Sequence, residues 1–244
     1  MTPKPDLEVT RIADGLWRWS APHPEWTPEK DRPGGWGRMV GSVYYEPIAT
    51  PGAPIVLIDP LAPPAGSEEE GRFWAALDRD LERARRPVVT LIGNVYHRRH
   101  AVEIRERIAA RHACSIRAHP DGLGRLGIEG LEGFAAPESQ GGVEASPIEA
   151  LDLDETAFFI RPHKTLVFSD AVLGAGGGRL AVAPESWAAK GEAAAKRYRE
   201  RFRACLKRLL DLDPRIVLPS HGEPVLSGGR EALAAAIDGP AWGE

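Results

Sequence analysis

The strongest constraint on the fold is a series of short apolar runs that end close to charged or imidazole side chains. Short runs rich in branched and aromatic residues, bounded by Gly, Pro or Asp, are typical of strands. Three such runs are residues 88–92, followed by His97 and His100; residues 166–168, followed by Asp170; and residues 216–218, followed by His221. Because the loops at strand ends often carry the chemistry of a protein, we expect these side chains to share one site.

The first half of the chain alternates between predicted strands and helices. Residues 7–12, 16–20, 39–45 and 55–58 read as strands, and Asp14-Gly15 is a good hairpin turn between the first two. Ser67 followed by Glu70 is typical of a helix start, and apolar residues then recur at helical spacing. From residue 55 onward the predicted order is β-α-β-α-β, with the last strand at 115–118.

The second half returns to strands at 148–151, 156–160 and 165–168, with residues 161–164 as a hairpin turn. The pattern predicts an irregular connection over 122–142, a flexible loop over 174–178, a long helix from about 186 to 210 and a closing helix at 231–237. Two β-rich halves flanked by helices suggest two sheets packed face to face with helices outside. We expect one domain spanning residues 1–244.

Composition excludes several classes of function. The 244 residues are 43% apolar and 27% charged, as in ordinary globular proteins, and the net charge of −4 argues against a nucleic-acid partner. No apolar run approaches the roughly 18–20 residues needed to cross a membrane, and the N-terminus lacks the apolar core of a signal peptide. The two cysteines do not suggest a disulfide framework. We therefore expect a cytoplasmic protein.

A long loop over residues 21–38 carries Trp26 and Trp36 among Pro and Gly residues. Loops of this length are uncommon unless they are functional or mobile. Two interpretations stay open at this point: the indoles only cover the sheet, or the loop is a lid over the site.

The order of elements and three short motifs resemble the metallo-β-lactamase superfamily, which includes glyoxalase II. The motifs are Ile-Ala-Asp-Gly-Leu-Trp at 12–17, Asp59 after an apolar run, and Pro-Ser-His-Gly at 219–222. The resemblance implies a four-layer αββα sandwich and the chemistry of a metal-dependent hydrolase. Because one fold hosts many substrates, it implies no particular substrate.

The main motif of that superfamily, His-x-His-x-Asp-His, aligns with Val-Tyr-His-Arg-Arg-His at 95–100. His97 and His100 match, whereas Val95 and Arg99 replace a His and the Asp. A further family His is expected near residues 150–154, which contain none. The resemblance therefore implies that one of two metals is lost. His100, Asp170 and His221 remain as ligands for a single ion, and two imidazoles with a carboxylate suit Zn²⁺ or Fe(II).

Two functions follow from this reduced ligand set. In the first, the protein is a mono-metal hydrolase of a small ester, thioester or related substrate, His97 binds substrate or assists proton transfer, and Arg99 steadies an anionic group. In the second, the protein is a metal-free relative that binds a small molecule or a partner protein. In that case Arg99, which stays charged at any accessible pH, pairs with Asp170 and fills the old site.

Overall fold

A seven-stranded sheet occupies the first half of the chain and runs in chain order. The computed structural model describes residues 6–134, 139–148, 155–187 and 191–244. The strands are β1 (Glu8–Ala13), β2 (Leu16–Pro22), β3 (Met39–Tyr45), β4 (Ile55–Ile58), β5 (Val88–Ile92), β6 (Cys114–Ala118) and β7 (Leu131–Gly133). The first four pair antiparallel, as the predicted hairpin requires, and the last four pair parallel through helical crossovers.

A second sheet of five strands comes from the second half, in the order β14-β11-β10-β9-β8. Its strands and those of a separate hairpin are β8 (Ser139–Gln140), β9 (Val143–Pro147), β10 (Thr156–Ile160), β11 (Thr165–Phe168), β12 (Val172–Gly176), β13 (Arg179–Val182) and β14 (Ile216–Pro219). β11 and β14 are parallel, so their carboxyl ends meet at one edge of the sheet.

The helices are α1 (Glu68–Ala84), α2 (Ala101–Ile108), α3 (Leu123–Leu126), α4 (Glu192–Arg197), α5 (Arg203–Arg208) and α6 (Gly229–Asp238). α1 begins as predicted, because the Ser67 hydroxyl accepts a hydrogen bond from the Glu70 backbone N–H at 3.1 Å. The predicted long helix is interrupted: a π-helical turn, Tyr198–Phe202, joins α4 to α5. Residues 188–190 lie outside the described ranges.

The two sheets pack face to face with helices on both outer sides. Side chains alternate along each strand, so Val56 and Ile58 meet Phe158 and Ile160 in the core between the sheets. The alternate residues of the first sheet pack under α1 and α2, and those of the second sheet pack under α5 and α6. This arrangement confirms the predicted αββα sandwich. No helix in the described ranges is both long and apolar enough to cross a membrane.

Two further segments differ from the prediction, and most of the strand predicted at 148–151 lies outside the described residues. The supposed flexible loop at 174–178 forms the hairpin of β12 and β13, with Gly176, Gly177 and Gly178 in the left-handed region that glycine tolerates best. Gly174 also lies so close to the chain after β14 that a Cβ atom would fall 2.0 Å from the Glu223 carbonyl oxygen. The supposed irregular connection at 122–142 contains α3, β7 and β8.

Candidate metal centre

Three buried side chains converge where β5, β11 and β14 end. They are His97, Asp170 and His221, and one potential ligand atom from each lies within 4.8 Å of the others. His97 follows the turn after β5, Asp170 comes two residues after β11, and His221 comes two residues after β14. The structure therefore brings together the side chains that follow these three strands.

The carboxylate of Asp170 stands between the two imidazoles. Its Oδ1 lies 3.3 Å from His97 Nε2 and 3.1 Å from His221 Nε2, and its Oδ2 accepts a hydrogen bond from Asn94 Nδ2 at 2.8 Å. Burial acts to raise the pKa of Asp170, but His97 and His221 outweigh it and hold the pKa well below its usual range. Because Asn94 binds Oδ2, Oδ1 is the oxygen that faces the two imidazoles.

Asp59, at the end of β4, orients the ring of His97. Its Oδ2 lies 2.7 Å from His97 Nδ1 and accepts a hydrogen bond from the Ser169 hydroxyl, while its Oδ1 accepts from the Gly93 N–H at 2.8 Å. Burial and Arg99 act to lower the pKa of His97, but Asp59 and Asp170 outweigh them and raise it to about 9. Since Nδ1 is engaged with a carboxylate, Nε2 faces the site, as in metal ligands held by a second carboxylate.

Glu155 is a buried carboxylate that the sequence reasoning missed. It accepts hydrogen bonds from the backbone N–H groups of Ser169, Asp170 and Ala171, at 3.0, 3.1 and 3.2 Å, and from Asn94 Nδ2 at 3.0 Å. Burial, followed by the negative charge of Asp170, raises the pKa of Glu155 to about 8. Glu155 thus shapes the turn that carries Asp170. A single Glu before a strand offers no signal that could have identified it.

Arg99 is not paired with Asp170, contrary to the expectation for a metal-free site. Its Nη1 donates to the carbonyl oxygens of Gly41 at 3.0 Å and Asp59 at 2.8 Å, and Nη2 lies 3.3 Å from His97 Nε2. In the part of the chain that the structure describes, Arg99 forms no ion pair with Asp170. Its backbone has a φ of 40°, a left-handed conformation that is strained for Arg. Two backbone carbonyls therefore hold the guanidinium to one side of the carboxylate.

His100 lies outside the converging group, so the expected ligand set changes. It is the residue before α2, and its Nδ1 accepts a hydrogen bond from the Ala62 N–H at 3.2 Å. Burial lowers the pKa of His100. His97, which we expected to contact substrate, instead joins Asp170 and His221 in the converging group, where we expected His100. Val95 packs in an apolar cluster, and residues 150–154, where a family His was expected, lie outside the described residues.

The long loop between β2 and β3 lines one side of the cavity at the site. The Trp36 ring lies 5.5 Å from that of His221, and the Trp187 ring lies 6.0 Å from the same imidazole. Three indole N–H groups bind successive carbonyls of the loop: Trp187 donates to Gly34, Trp242 donates to Gly35, and Trp26 donates to Trp36. These bonds hold the loop as one wall of a cavity of about 1090 Å³ that contains His97, Arg99, His100 and Asp170.

The donor set fits a single divalent ion. Ligands 2.0–2.2 Å from a tetrahedral ion stand about 3.4 Å apart, close to the 3.1 and 3.3 Å measured from Asp170 Oδ1. Within the described ranges, Asp170 Oδ1 and His221 Nδ1 are buried side-chain atoms that form no hydrogen bond of good geometry. Buried polar atoms of this kind require a partner, and a cation supplies one for the carboxylate. A second ion has no comparable ligand set among the described residues.

Comparison with known proteins gives one consistent result. No protein-family model and no curated protein sequence matches the chain. Among solved structures it is similar to a metallo-β-lactamase from Hirschia baltica, with 14% identity over 96% of this chain and 97% of that chain and a TM-score of 0.63. It is also similar to one from Pontibacter korlensis (15% identity, 96% and 100% coverage, TM-score 0.62) and to FIM-1 from Pseudomonas aeruginosa in its mono-zinc form (11%, 95% and 95%, 0.59).

Proposed function

The chain has the metallo-β-lactamase fold, and from this premise we propose that it is a hydrolase that uses one divalent metal ion. The ligands are His97, Asp170 and His221, and the ion is Zn²⁺ or Fe²⁺. The observation that carries the proposal is the convergence of two imidazole nitrogens on Asp170 Oδ1, which has no hydrogen bond of good geometry among the described residues. The mono-zinc form of FIM-1, a neighbour in fold, supports a one-ion site.

The residues around the ligands support this assignment. Asp59 holds His97 by Nδ1, and Asn94 holds Asp170 by Oδ2, so each of these two ligands presents its other atom to the site. Such outer hydrogen bonds orient metal ligands and contribute strongly to affinity. When bound, the ion would act as a Lewis acid and make water a stronger nucleophile at neutral pH.

Arg99 supplies a second, permanent positive charge at the rim of the ligand group. Its Nη1 donates to two carbonyls, its Nη2 lies 3.3 Å from His97 Nε2, and the residue lines the cavity. A guanidinium in this position stabilises negative charge that develops on a carbonyl oxygen during acyl transfer. The substrate is accordingly a small ester, thioester or related acyl compound that enters between the Trp36 wall and the turn that carries Arg99.

A metal-free binding module is the second candidate, favoured by one observation. His97 lies between the carboxylates of Asp59 and Asp170, and their charges raise its pKa to about 9. A protonated His97 therefore balances part of the negative charge without an ion. In this case the cavity binds a small anionic molecule through Arg99, and no hydrolysis occurs.

Metal analysis of protein purified without chelator separates the two candidates. The hydrolase proposal expects about one Zn or Fe per chain, which is lost in His221→Ala and Asp170→Asn and kept in His100→Ala, a matched change outside the converging group. A screen of small aryl esters and thioesters then tests activity with and without the ion. Trace metal in the wild type, with no binding of added Zn²⁺ or Fe²⁺, would overturn the proposal and leave the binding module.

A further inference from the structure

Arg18 joins the first sheet to the turn that carries His221. It lies on β2, and its Nη2 donates to the carbonyl oxygens of Pro219 at 3.3 Å and Gly222 at 3.1 Å. These two carbonyls flank Ser220 and His221 in the chain. Nη1 donates to Ser20 Oγ at 2.8 Å, which holds the guanidinium against its own strand. Arg18 therefore forms hydrogen bonds to the backbone on both sides of His221.

The charge of Arg18 is costly in this position. The side chain is half-buried; burial lowers its pKa to about 10 although the negative charge of Glu8 acts to raise it, and Arg18 forms no ion pair within the described ranges. Its Nε is among the buried atoms that form no hydrogen bond in that part of the chain. Burial of a charge is unfavourable unless opposite charge and hydrogen bonds compensate for the lost water. The bonds that Arg18 does make are directed mainly to the backbone on either side of His221.

Gly41 on β3 makes room for this arrangement. A Cβ atom at residue 41 would lie 2.6 Å from Arg18 Nη2 and 2.8 Å from its Cζ, closer than atoms approach in proteins. The backbone of Gly41 also pairs with the same turn, because its N–H donates to the Ser220 carbonyl at 2.6 Å. β2 and β3 thus contact the His221 turn together, and the glycine leaves the space that the guanidinium fills.

We propose that Arg18 is a positioning residue for metal binding: its guanidinium holds the turn 219–222 so that the His221 imidazole meets His97 and Asp170. This inference rests on the proposed function, because it requires an ion at that site. Arg18 affects the affinity of the site for a metal ion in two opposing ways. Its positive charge repels a cation, so loss of the charge alone would tighten metal binding. Loss of a held ligand geometry weakens metal binding, typically 10- to 100-fold for residues that orient a ligand.

The test measures Co²⁺ and Zn²⁺ dissociation constants, and the visible absorption of bound Co²⁺, for purified full-length variants. Arg18→Met is expected to weaken binding at least about tenfold and to change the Co²⁺ spectrum, and Arg18→Lys is expected to recover part of the loss. Gly41→Ala, which displaces the guanidinium without altering its charge, is expected to weaken binding in the same direction. Arg203→Met is the matched control, because Arg203 donates to the Ile237 and Gly239 carbonyls on the outer helices.

Circular dichroism and thermal unfolding of the metal-free variants establish that each is folded. If Arg18→Met does not fold, Gly41→Ala and Arg18→Lys carry the test. The inference is wrong if folded Arg18→Met, or Gly41→Ala where Arg18→Met does not fold, binds Co²⁺ within about twofold of the wild type, or more tightly, since orienting residues have larger effects. It is also wrong if Arg203→Met weakens binding as much as Arg18→Met. A wild type that binds no metal refutes the proposed function itself, a separate outcome.

Discussion

Replacement of Asp59 by Asn tests how the orientation of His97 is set. In the wild type, the Gly93 N–H donates to Oδ1 of Asp59, and His97 Nδ1 lies beside Oδ2. An asparagine must keep its oxygen toward the Gly93 N–H, so its NH₂ group faces His97. The amide then donates to Nδ1, and the single proton of a neutral imidazole moves to Nε2. Because Nε2 is the nitrogen that faces Asp170, the proton occupies the position of the metal.

The size of the expected loss in metal affinity follows from the buried hydrogen bonds. Metal binding to the Asp59→Asn variant requires the proton to return to Nδ1, where it meets an NH₂ group instead of an acceptor. A buried donor left without an acceptor costs about 1–3 kcal/mol. This cost corresponds to a dissociation constant raised roughly 5- to 140-fold. His97 is 3% exposed, so water cannot readily replace the lost acceptor.

Two measurements check this prediction. Both are made above the His97 pKa of about 9, where the ring is neutral in the metal-free protein and proton competition does not differ between the variants. Competition with a chromophoric chelator gives the Zn²⁺ dissociation constant, and ring ¹⁵N chemical shifts of the metal-free protein report which nitrogen of His97 carries the proton. Asp213→Asn is the control, because Asp213 is an exposed carboxylate bonded to Lys164. The reasoning fails if the Asp59→Asn variant binds Zn²⁺ within about threefold of the wild type, or if Nε2 stays unprotonated in a variant that binds weakly.

Three further outcomes concern stability. At about pH 9, above its pKa of about 8, Glu155 is a carboxylate that accepts from several N–H groups, and Glu155→Gln puts an amide N–H against at least one of them. The free energy of unfolding in urea at that pH should therefore fall by about 1–3 kcal/mol; no change would contradict the proposed support of the Asp170 turn. Arg83 lowers the pKa of Glu46, so their bond stabilises the fold above the unfolded-state pKa of about 4.3 and is lost as pH falls through the lower folded-state value. Glu46→Gln should therefore cost about 1 kcal/mol at neutral pH and progressively less in acid; a loss that does not vary with pH would refute this. Phe202→Ala, at a fully buried ring of the π-helical turn, should lower the free energy of unfolding by about 3–5 kcal/mol in the same assay.

The strands could largely be predicted because burial on one or both faces of a strand leaves a local pattern of apolar residues in the sequence. The apolar runs at 39–45, 55–58 and 88–92 became β3, β4 and β5 with the predicted limits. The hairpin of β12 and β13 was missed because its glycines look like a loop in the sequence. Those glycines instead provide positive φ values and the close approach of Gly174 to the chain near Glu223. Such contacts between distant segments produce no periodicity.

The candidate site also combines features that depend on local sequence with features that depend on contacts between distant segments. From the residues alone it could be read that His97, Asp170 and His221 follow strand ends, and that Val95 and Arg99 depart from the motif that residues 95–100 resemble. Since strand order and burial bring such ends together, their convergence was predictable.

Long-range contacts set which imidazole faces the carboxylate and where the guanidinium groups point. Asp59 reaches His97 across 38 residues of chain, and Arg18 reaches the carbonyl of Pro219 across 201. The direction of a side chain in a pocket depends on hydrogen bonds of this kind, which are directional and join residues far apart in sequence. For this reason His97, and not His100, became the proposed ligand, and Arg99 lies against backbone carbonyls instead of Asp170.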